Sequence, residues 1–364
     1  MNDKEILFFV GKCLTINHEE HNKILVEDIL KSNTIDWPLV VTLSTSQFVF
    51  PALYCNLKRA HFLHYLPKEL VVFMKRITDE NRERNEEIIA QAKEINELLL
   101  KNDITPIFLK GTGNLLEGLY DDIAERMVGD IDFIVSKENA TKAYSILCEH
   151  KYFSNPGSSL KNSLVKELRH LPPLTHTKKI AAVEIHIELL GKKYRPEFNY
   201  NAAKNKSHKI KNINVLSFKH QLALSIISEQ INDGGFRYNT IVLRNAYDVF
   251  LLSKKTEAKT SFDEFKSLKN PLNCFLATCF QVFNSPLSLQ YNSTTETEDY
   301  LKIFNKELDD ENLRKKRHHK IKKRAAQKRK LNFVYRLFFD KYFIIFQAGR
   351  IVRKYSKIKR RLGF

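Results

Sequence analysis

The sequence predicts an α+β protein in which a small mixed sheet lies between an N-terminal helical region and a C-terminal helical domain. Three observations predict it. Apolar residues recur at helical spacing from Pro67 to Lys101, short β-branched runs replace them after Asn102, and helical periodicity returns from Ser217. These changes divide the chain into residues 1–101, 102–215 and 216–312, followed by a basic aromatic tail at 313–364.

The first region reads as helical throughout. Its clearest piece opens at Pro67, a residue suited to a helix start, and carries Val71, Val72, Ile77, Ile88, Ile89, Ala92, Ile95, Leu98 and Leu99. The charged middle, DENRERNEE, is expected to face solvent or to bridge two units. ITPIFLKG, DIDFIV and IAAVEIHIEL then read as strands, with helices over 114–120 and 137–150 between them. From Ser217, placed as an N-cap, Leu222, Leu224, Ile226, Ile227 and Ile231 mark a helix that Asp233-Gly234-Gly235 closes. IVLRNAYDVFLL and the stretch from Pro271 to Phe283 continue the helical domain.

Composition narrows the class. Hydrophobic residues make up 43% and charged residues 28% of the 364, as in soluble globular proteins. No apolar run reaches the length of a membrane span, and the N-terminus lacks the basic start and cleavage site of a secretory signal. Five scattered cysteines (Cys13, Cys55, Cys148, Cys274, Cys279) without a C-x-x-C pair argue against a disulfide framework or structural zinc and suit the cytoplasm. The net charge is +18, yet Arg314–Phe364 alone hold twenty Lys/Arg against one acid, Asp340, which leaves the other 313 residues at −1. The basic excess is an appendage, so its partner need not be the substrate.

The strongest chemical signal lies in the central region. Side chains two apart on a strand share a face, so Asp130 and Asp132 project together while Ile131 and Phe133 enter the core. Carboxylates about 7 Å apart along a strand repel each other unless a cation lies between them. Hard oxygen ligands suit Mg2+, and such a pair can serve a two-metal displacement at phosphorus. In VEIHIEL, Glu184, His186 and Glu188 share a face; Glu184 is preferred to Glu188 as the third carboxylate. Upstream, Gly111-Thr112 opens a helix directly after a strand, where backbone N–H groups favour an anion. Lys110 and Arg126 would neutralise a triphosphate.

This order of strand, Gly-Thr turn, helix, Asp-x-Asp strand and later acidic strand resembles the DNA polymerase beta-like nucleotidyltransferase superfamily. It is most similar to a largely uncharacterised bacterial nucleotidyltransferase family. The matching positions are Leu109, Lys110, Gly111, Tyr120, Arg126, Gly129, Asp130, Ile131 and Asp132, then Glu184-Ile185-His186, then Arg244 and Asp248. The resemblance spans roughly Ile104 to Leu252. It departs from the superfamily in a longer gap between Gly-Thr and Asp-x-Asp, and in glutamate rather than aspartate at 184.

Other motifs carry less. His18-Glu19-Glu20-His21 has its histidines i, i+3 rather than the zincin i, i+4, and neither a P-loop nor G-x-S-x-G occurs. His186 either orients a ligand or is a half-buried strand histidine. His170 and His176 flank Pro172-Pro173 and read as loop residues. In the tail, 314–330 is a solvated basic run, of a kind often disordered. Residues 333–361 pair Phe333, Val334, Leu337, Phe338, Tyr342, Ile345 and Phe346 with a basic stripe of Arg350, Arg353, Lys354, Lys357 and Arg361. That reads as an anchor on an anionic membrane surface, here the inner face of the cell membrane, or as a helix docked on the body, with nucleic acid less favoured.

Together these readings predict a Mg2+-dependent enzyme that moves a nucleoside monophosphate from an NTP such as ATP to an unidentified acceptor, releasing pyrophosphate. Asp130, Asp132 and Glu184 would hold the metal, with Lys110, Gly111, Thr112 and Arg126 on the phosphates. The alternatives are a non-catalytic nucleotide- or partner-binding protein tethered by its tail, and an RNA-end modifying enzyme.

Overall fold

The computed structural model describes residues 1–154, 168–340 and 344. Met1–Asp309 form one compact unit and Asp310–Phe364 a second.

The N-terminal helices are α1 (Asp3–Thr15), α2 (Glu20–Lys31), α3 (Trp37–Ser46), α4 (Phe50–Arg59) and the long α5 (Lys68–Leu100). Local chemistry sets their starts. Asn2 and Glu5 form a reciprocal capping box on α1, and Asp36 caps α3 ahead of Pro38. In α5 the buried stripe runs Met74, Thr78, Asn81, Asn85, Ile88, Ala92, Ile95, Leu99, so amides occupy its middle. They clasp a loop rather than face solvent. Asn81 Nδ2 donates to the Ala124 and Arg126 carbonyls at 2.7 and 3.2 Å, and Asn85 Nδ2 to Ile123 and Arg126 at 2.6 and 2.7 Å.

The centre contains β1 (Ile107–Phe108), α6 (Lys110–Glu117), β2 (Asp130–Ile134), α7 (Lys137–Glu149), β3 (Tyr152–Ser154), β4 (Leu174–His176), β5 (Ala182–His186), α8 (Tyr200–Asn205), β6 (Ser207–Ile210) and β7 (Ile213–Leu216). Among the described residues the strands form one seven-stranded sheet in the order β3-β4-β5-β2-β1-β7-β6. The pairs β2–β5 and β1–β7 are parallel and the others antiparallel, so the sheet is mixed as expected. Ile131, Phe133, Val183 and Ile185 lie fully buried on the face opposite the carboxylates. The predicted helix over 114–120 starts earlier, at Lys110. Gly113 packs where a Cβ would lie 2.9 Å from the Phe108 oxygen, and Gly118 caps the end of the helix at φ +73°.

The remaining helices are α9 (Phe218–Ile226), running into a π-turn over Ile227–Asn232, then α10 (Gly235–Tyr238), α11 (Leu243–Ser253), α12 (Lys269–Val282) and α13 (Thr295–Asp309). Ser217 holds the N-cap position of α9, but its hydroxyl meets His220 Nδ1 at 2.7 Å instead of a backbone N–H. α11 is buried along most of its length and brings Arg244, Tyr247 and Asp248 against the loop that α5 clasps.

In the second unit, α14 (Glu311–Phe339) takes the basic run expected to be disordered into a helix. Asp310 caps it, Glu311 pairs with Arg314 and Lys315, and Ala, Lys, Arg and Gln are good helix formers. None of its residues is buried, so the expectation of solvation holds. The basic stripe at 350–361 lies outside the described residues.

Replacing Asn85 by Ala deprives two carbonyls of their shared buried donor. The expected loss is about 2–3 kcal/mol. A lowered urea midpoint with unchanged m would show it, and an unchanged midpoint would mean that the 123–126 loop is held by other contacts.

Candidate active site

Pairing register builds the site. In the parallel β2–β5 pair, Asp132 stands opposite Glu184 and Ile134 opposite His186. Asp132 and Glu184 are therefore nearest neighbours across the sheet, with Asp130 two residues along the same face of β2. Glu188 is elsewhere: it is buried and paired with Lys137 at 2.6 Å.

Asp132 is 3% exposed, and its Oδ1 receives Lys110 Nζ and His186 Nε2, each at 2.7 Å. Burial alone would raise its carboxyl, but Lys110 and His186 overcome that and hold it far below the usual range. An ionised carboxylate only accepts, so Nε2 carries the imidazole proton. Burial keeps His186 below its ordinary value, against the pull of Asp132, and its buried Nδ1 has no partner. His186 is thus a neutral donor that orients Asp132. Lys110 has the opposite shift: burial acts to lower it, and the charges of Asp132, Asp130 and Glu184 raise it.

Asp130 is half-buried. Burial and the adjacent Asp132 charge push its carboxyl up to about 6. Asp132, Glu184 and His186 present possible ligand atoms within 4.8 Å of one another. The donor set and the repulsion recorded at Asp130 both fit a divalent cation, which would offset carboxylate charge that Lys110 covers only in part.

The helix start is built from backbone. Lys110 adopts φ +51°, a left-handed turn that carries the chain from β1 straight into α6. Thr112 is buried, and its hydroxyl donates to the Asp130 carbonyl at 2.9 Å. It ties the helix start to the carboxylate strand. A Cβ on Gly111 would lie 3.0 Å from Val128 and 3.4 Å from the Arg126 guanidinium, so that position admits little more than glycine.

Arg126 is placed differently from an open phosphate contact. It is 6% exposed, and its Nε lies 3.0 Å from both oxygens of Asp248. Tyr120 donates to the same carboxylate at 2.6 Å. One residue away, Glu125 is buried between Arg59 and the Tyr247 hydroxyl, each at 2.5 Å. Glu125-Arg126 and Tyr247-Asp248 thus form two parallel buried latches between the loop and α11. Sequence reasoning matched Tyr120, Arg126 and Asp248 to a family pattern without placing them together. It missed Glu125, Arg59 and Tyr247, for which a lone acid before the arginine was the only signal.

A helix start beside acidic residues paired across parallel strands defines a catalytic domain of nucleotidyltransferase type. The chain belongs to the uncharacterised nucleotidyltransferase family, whose sequence model matches residues 33–283. It is accordingly a transferase of phosphorus-containing groups, and its substrate is a nucleotide. No curated protein matches the chain. The family match reaches beyond Ile104–Leu252 into the helices on either side. No helix among the described residues is long and apolar enough to cross a membrane.

The Asp130 shift has a defined sign. Its native pKa lies above the ordinary 3.8, so ionised Asp130 costs stability that grows as pH rises from about 4 through 6. Asp130→Asn should therefore stabilise the metal-free protein at pH 8 by about 1–2 kcal/mol, after allowance for partial exposure, and by nothing near pH 3.5. Denaturant unfolding at the two pH values measures this; equal effects at both would contradict it.

Proposed function

We propose that the protein transfers a nucleoside monophosphate from an NTP to an acceptor hydroxyl or similar nucleophile, with Asp130, Asp132 and Glu184 as the metal-holding carboxylates and magnesium as the metal. The carrying observation is the register that sets Asp132 against Glu184, with Asp130 on the same face. Bound Mg2+ supplies Lewis-acid stabilisation of charge on the transferring phosphoryl group. Lys110 and His186 hold Asp132 in one orientation. Gly111 and Thr112 present the open backbone of α6 to the phosphates, and Arg126 lines the same corner. The acceptor oxygen forms a bond to the α-phosphorus while the bond to the bridging oxygen of the β-phosphate breaks. Pyrophosphate departs, and Glu184 takes the acceptor proton.

The tail supports a second element of the reading. Along α14 the chemistry changes end to end rather than face to face. Residues 314–330 hold eleven Lys/Arg and no acid, and Leu331, Val334, Tyr335, Phe338 and Phe339 follow, all exposed. Arg336 and Asp340 pair at 2.7 Å and cancel each other's charge. Exposed aromatic bulk beside a basic run suits an anionic lipid surface, where each Lys/Arg near the headgroups contributes about 1 kcal/mol.

Asp132→Asn should lower nucleotide transfer by at least about 10³-fold in a chain that still folds, with a lowered Tm because Lys110 and His186 lose the carboxylate they share. Incubation with each NTP and Mg2+, followed by mass spectrometry for added nucleotide on candidate acceptors and on the protein itself, measures it. Turnover equal to wild type would sink the assignment.

Replacing Leu331, Phe338 and Phe339 by Ser in the full chain should abolish co-flotation with vesicles containing phosphatidylserine, while neutral vesicles bind neither protein. Indifference of flotation to these changes, with steeply salt-dependent RNA binding, would instead favour the RNA-end reading.

A further inference from the structure

We propose that Arg244, on the first turn of α11, is the receptor for the terminal phosphates of the bound nucleotide. The inference rests on the nucleotidyl-transfer reading and assigns a residue to it.

Two guanidinium groups meet at one place, and among the described residues only one of them has a carboxylate within ion-pair distance. Arg126 Nη1 donates to the Met127 carbonyl at 2.7 Å, and Arg244 Nη1 approaches the same oxygen at 3.5 Å. Arg126 is matched by Asp248. Arg244 has no ion-pair partner among the described residues, and its buried Nε has no hydrogen bond. An arginine retained for structure normally has most of its five donors met. This one has a single long bond.

Its surroundings hold it in place without neutralising it. The guanidinium carbon lies 4.8 Å from the centroid of the Phe48 ring. Phe48 sits at φ +57°, an uncommon conformation for a bulky residue, and the neighbouring Gln47 side chain accepts the Leu243 N–H that opens α11, at 2.9 Å. One turn therefore caps the helix and supports the arginine. Burial, then the charge of Arg126, lowers Arg244 to about 10.

Location selects the ligand. Arg126, which shares the Met127 carbonyl with Arg244, also packs 3.4 Å from the position of a Gly111 Cβ, at the start of α6. The half-buried Asp130 carboxylate lies close enough to offset part of the Arg244 charge. A guanidinium without an ion pair, next to the arginine that packs on the α6 start and within the influence of Asp130, suits an anion that reaches both. The non-transferred phosphates of an NTP have that chemistry, and a planar fork can take two of their oxygens.

The test uses the full-length protein, with inorganic tripolyphosphate and a non-hydrolysable NTP as probes. Arg244→Met should match or exceed wild type in Tm without ligand, because it removes an uncompensated buried charge. It should weaken tripolyphosphate binding by about 30-fold or more in calorimetry and raise the KM for NTP more than it lowers kcat. Arg244→Lys, which keeps charge but not the fork, should fall between. Tripolyphosphate binding by Arg244→Met equal to wild type, a fall of several degrees in Tm with binding retained, or no binding by wild type would each overturn the proposal. Should Arg244→Met fail to fold, Arg244→Lys binding as tightly as wild type would overturn it as well. Arg244-dependent tripolyphosphate binding in a protein that turns over no NTP would sink the transfer reading and leave the anion site standing.

Discussion

Repulsion among the carboxylates of β2 and β5 is the constraint around which this protein is arranged. Pairing register sets Asp132 beside Glu184 and places Asp130 on the same face, so negative charge gathers where burial makes it costly. Two devices hold that charge in the native state. Lys110 reaches Asp132 from a left-handed turn at the head of α6, and His186 donates from the next position on the shared face of β5. Both land on Oδ1, so Asp132 is ionised and fixed in direction. Asp130 accepts no side-chain hydrogen bond among the described residues, and the charges of Lys110 and Arg244 do not outweigh burial and the Asp132 charge, so its carboxyl stays raised. A site that holds one acid firmly and leaves its neighbour under strain is already disposed to accept a cation.

Helices on both sides of the sheet keep this geometry from relaxing. The loop over residues 122–126 connects them. From one side, Asn81 and Asn85 of α5 saturate its carbonyls, and Arg82 pairs with Asp122 at 2.8 Å. From the other, α11 supplies Tyr247 to Glu125 and Asp248 to Arg126. Buried ion pairs of this kind are weak evidence for net stability, since desolvation offsets much of their attraction. Their effect is to make the alternatives expensive. Removal of Asp248 would strand Arg126 behind Gly111, and removal of Glu125 would leave Arg59 with Asp121, at 3.9 Å, and Asn56. The latches therefore act chiefly on where the loop, α6 and α11 lie with respect to one another.

How far the sequence discloses this depends on the range of each interaction. Alternation along DIDFIV and VEIHIEL is local, and it correctly placed Ile131, Phe133, Val183 and Ile185 in the core with the acids opposite. Family resemblance supplied the type of domain, which the sequence match over 33–283 bears out. What stayed hidden depends on contacts between distant segments. DENRERNEE reads either as a solvated face or as a bridge between two units, and the choice stays open in the sequence because the carbonyls that Asn81 and Asn85 serve lie some forty residues on. Arg126 reads as an open phosphate contact because Asp248, which engages it, is 122 positions away. The turn at Gly111-Thr112 reads as opening a helix, yet that helix begins at Lys110 rather than Asn114, with Gly113 against the Phe108 carbonyl in space that a Cβ would need.

Charge distribution bears on how a nucleotide reaches such a site. The chain outside the tail sums to −1, so the body by itself sets up no strong long-range field for a polyanion. What the body contributes is therefore local and short-ranged. Lys110 is largely committed to Asp132 and Arg126 to Asp248. Arg244, which meets Arg126 at the Met127 carbonyl, has no ion-pair partner among the described residues. Under the proposed reading, a guanidinium without an ion pair serves the phosphates while Lys110 serves Asp132, which separates two tasks that conflict: gathering carboxylates for a cation and gathering positive charge for phosphate. If the same residues did both, each aspartate would be neutralised by the protein itself and the metal would have little to bind.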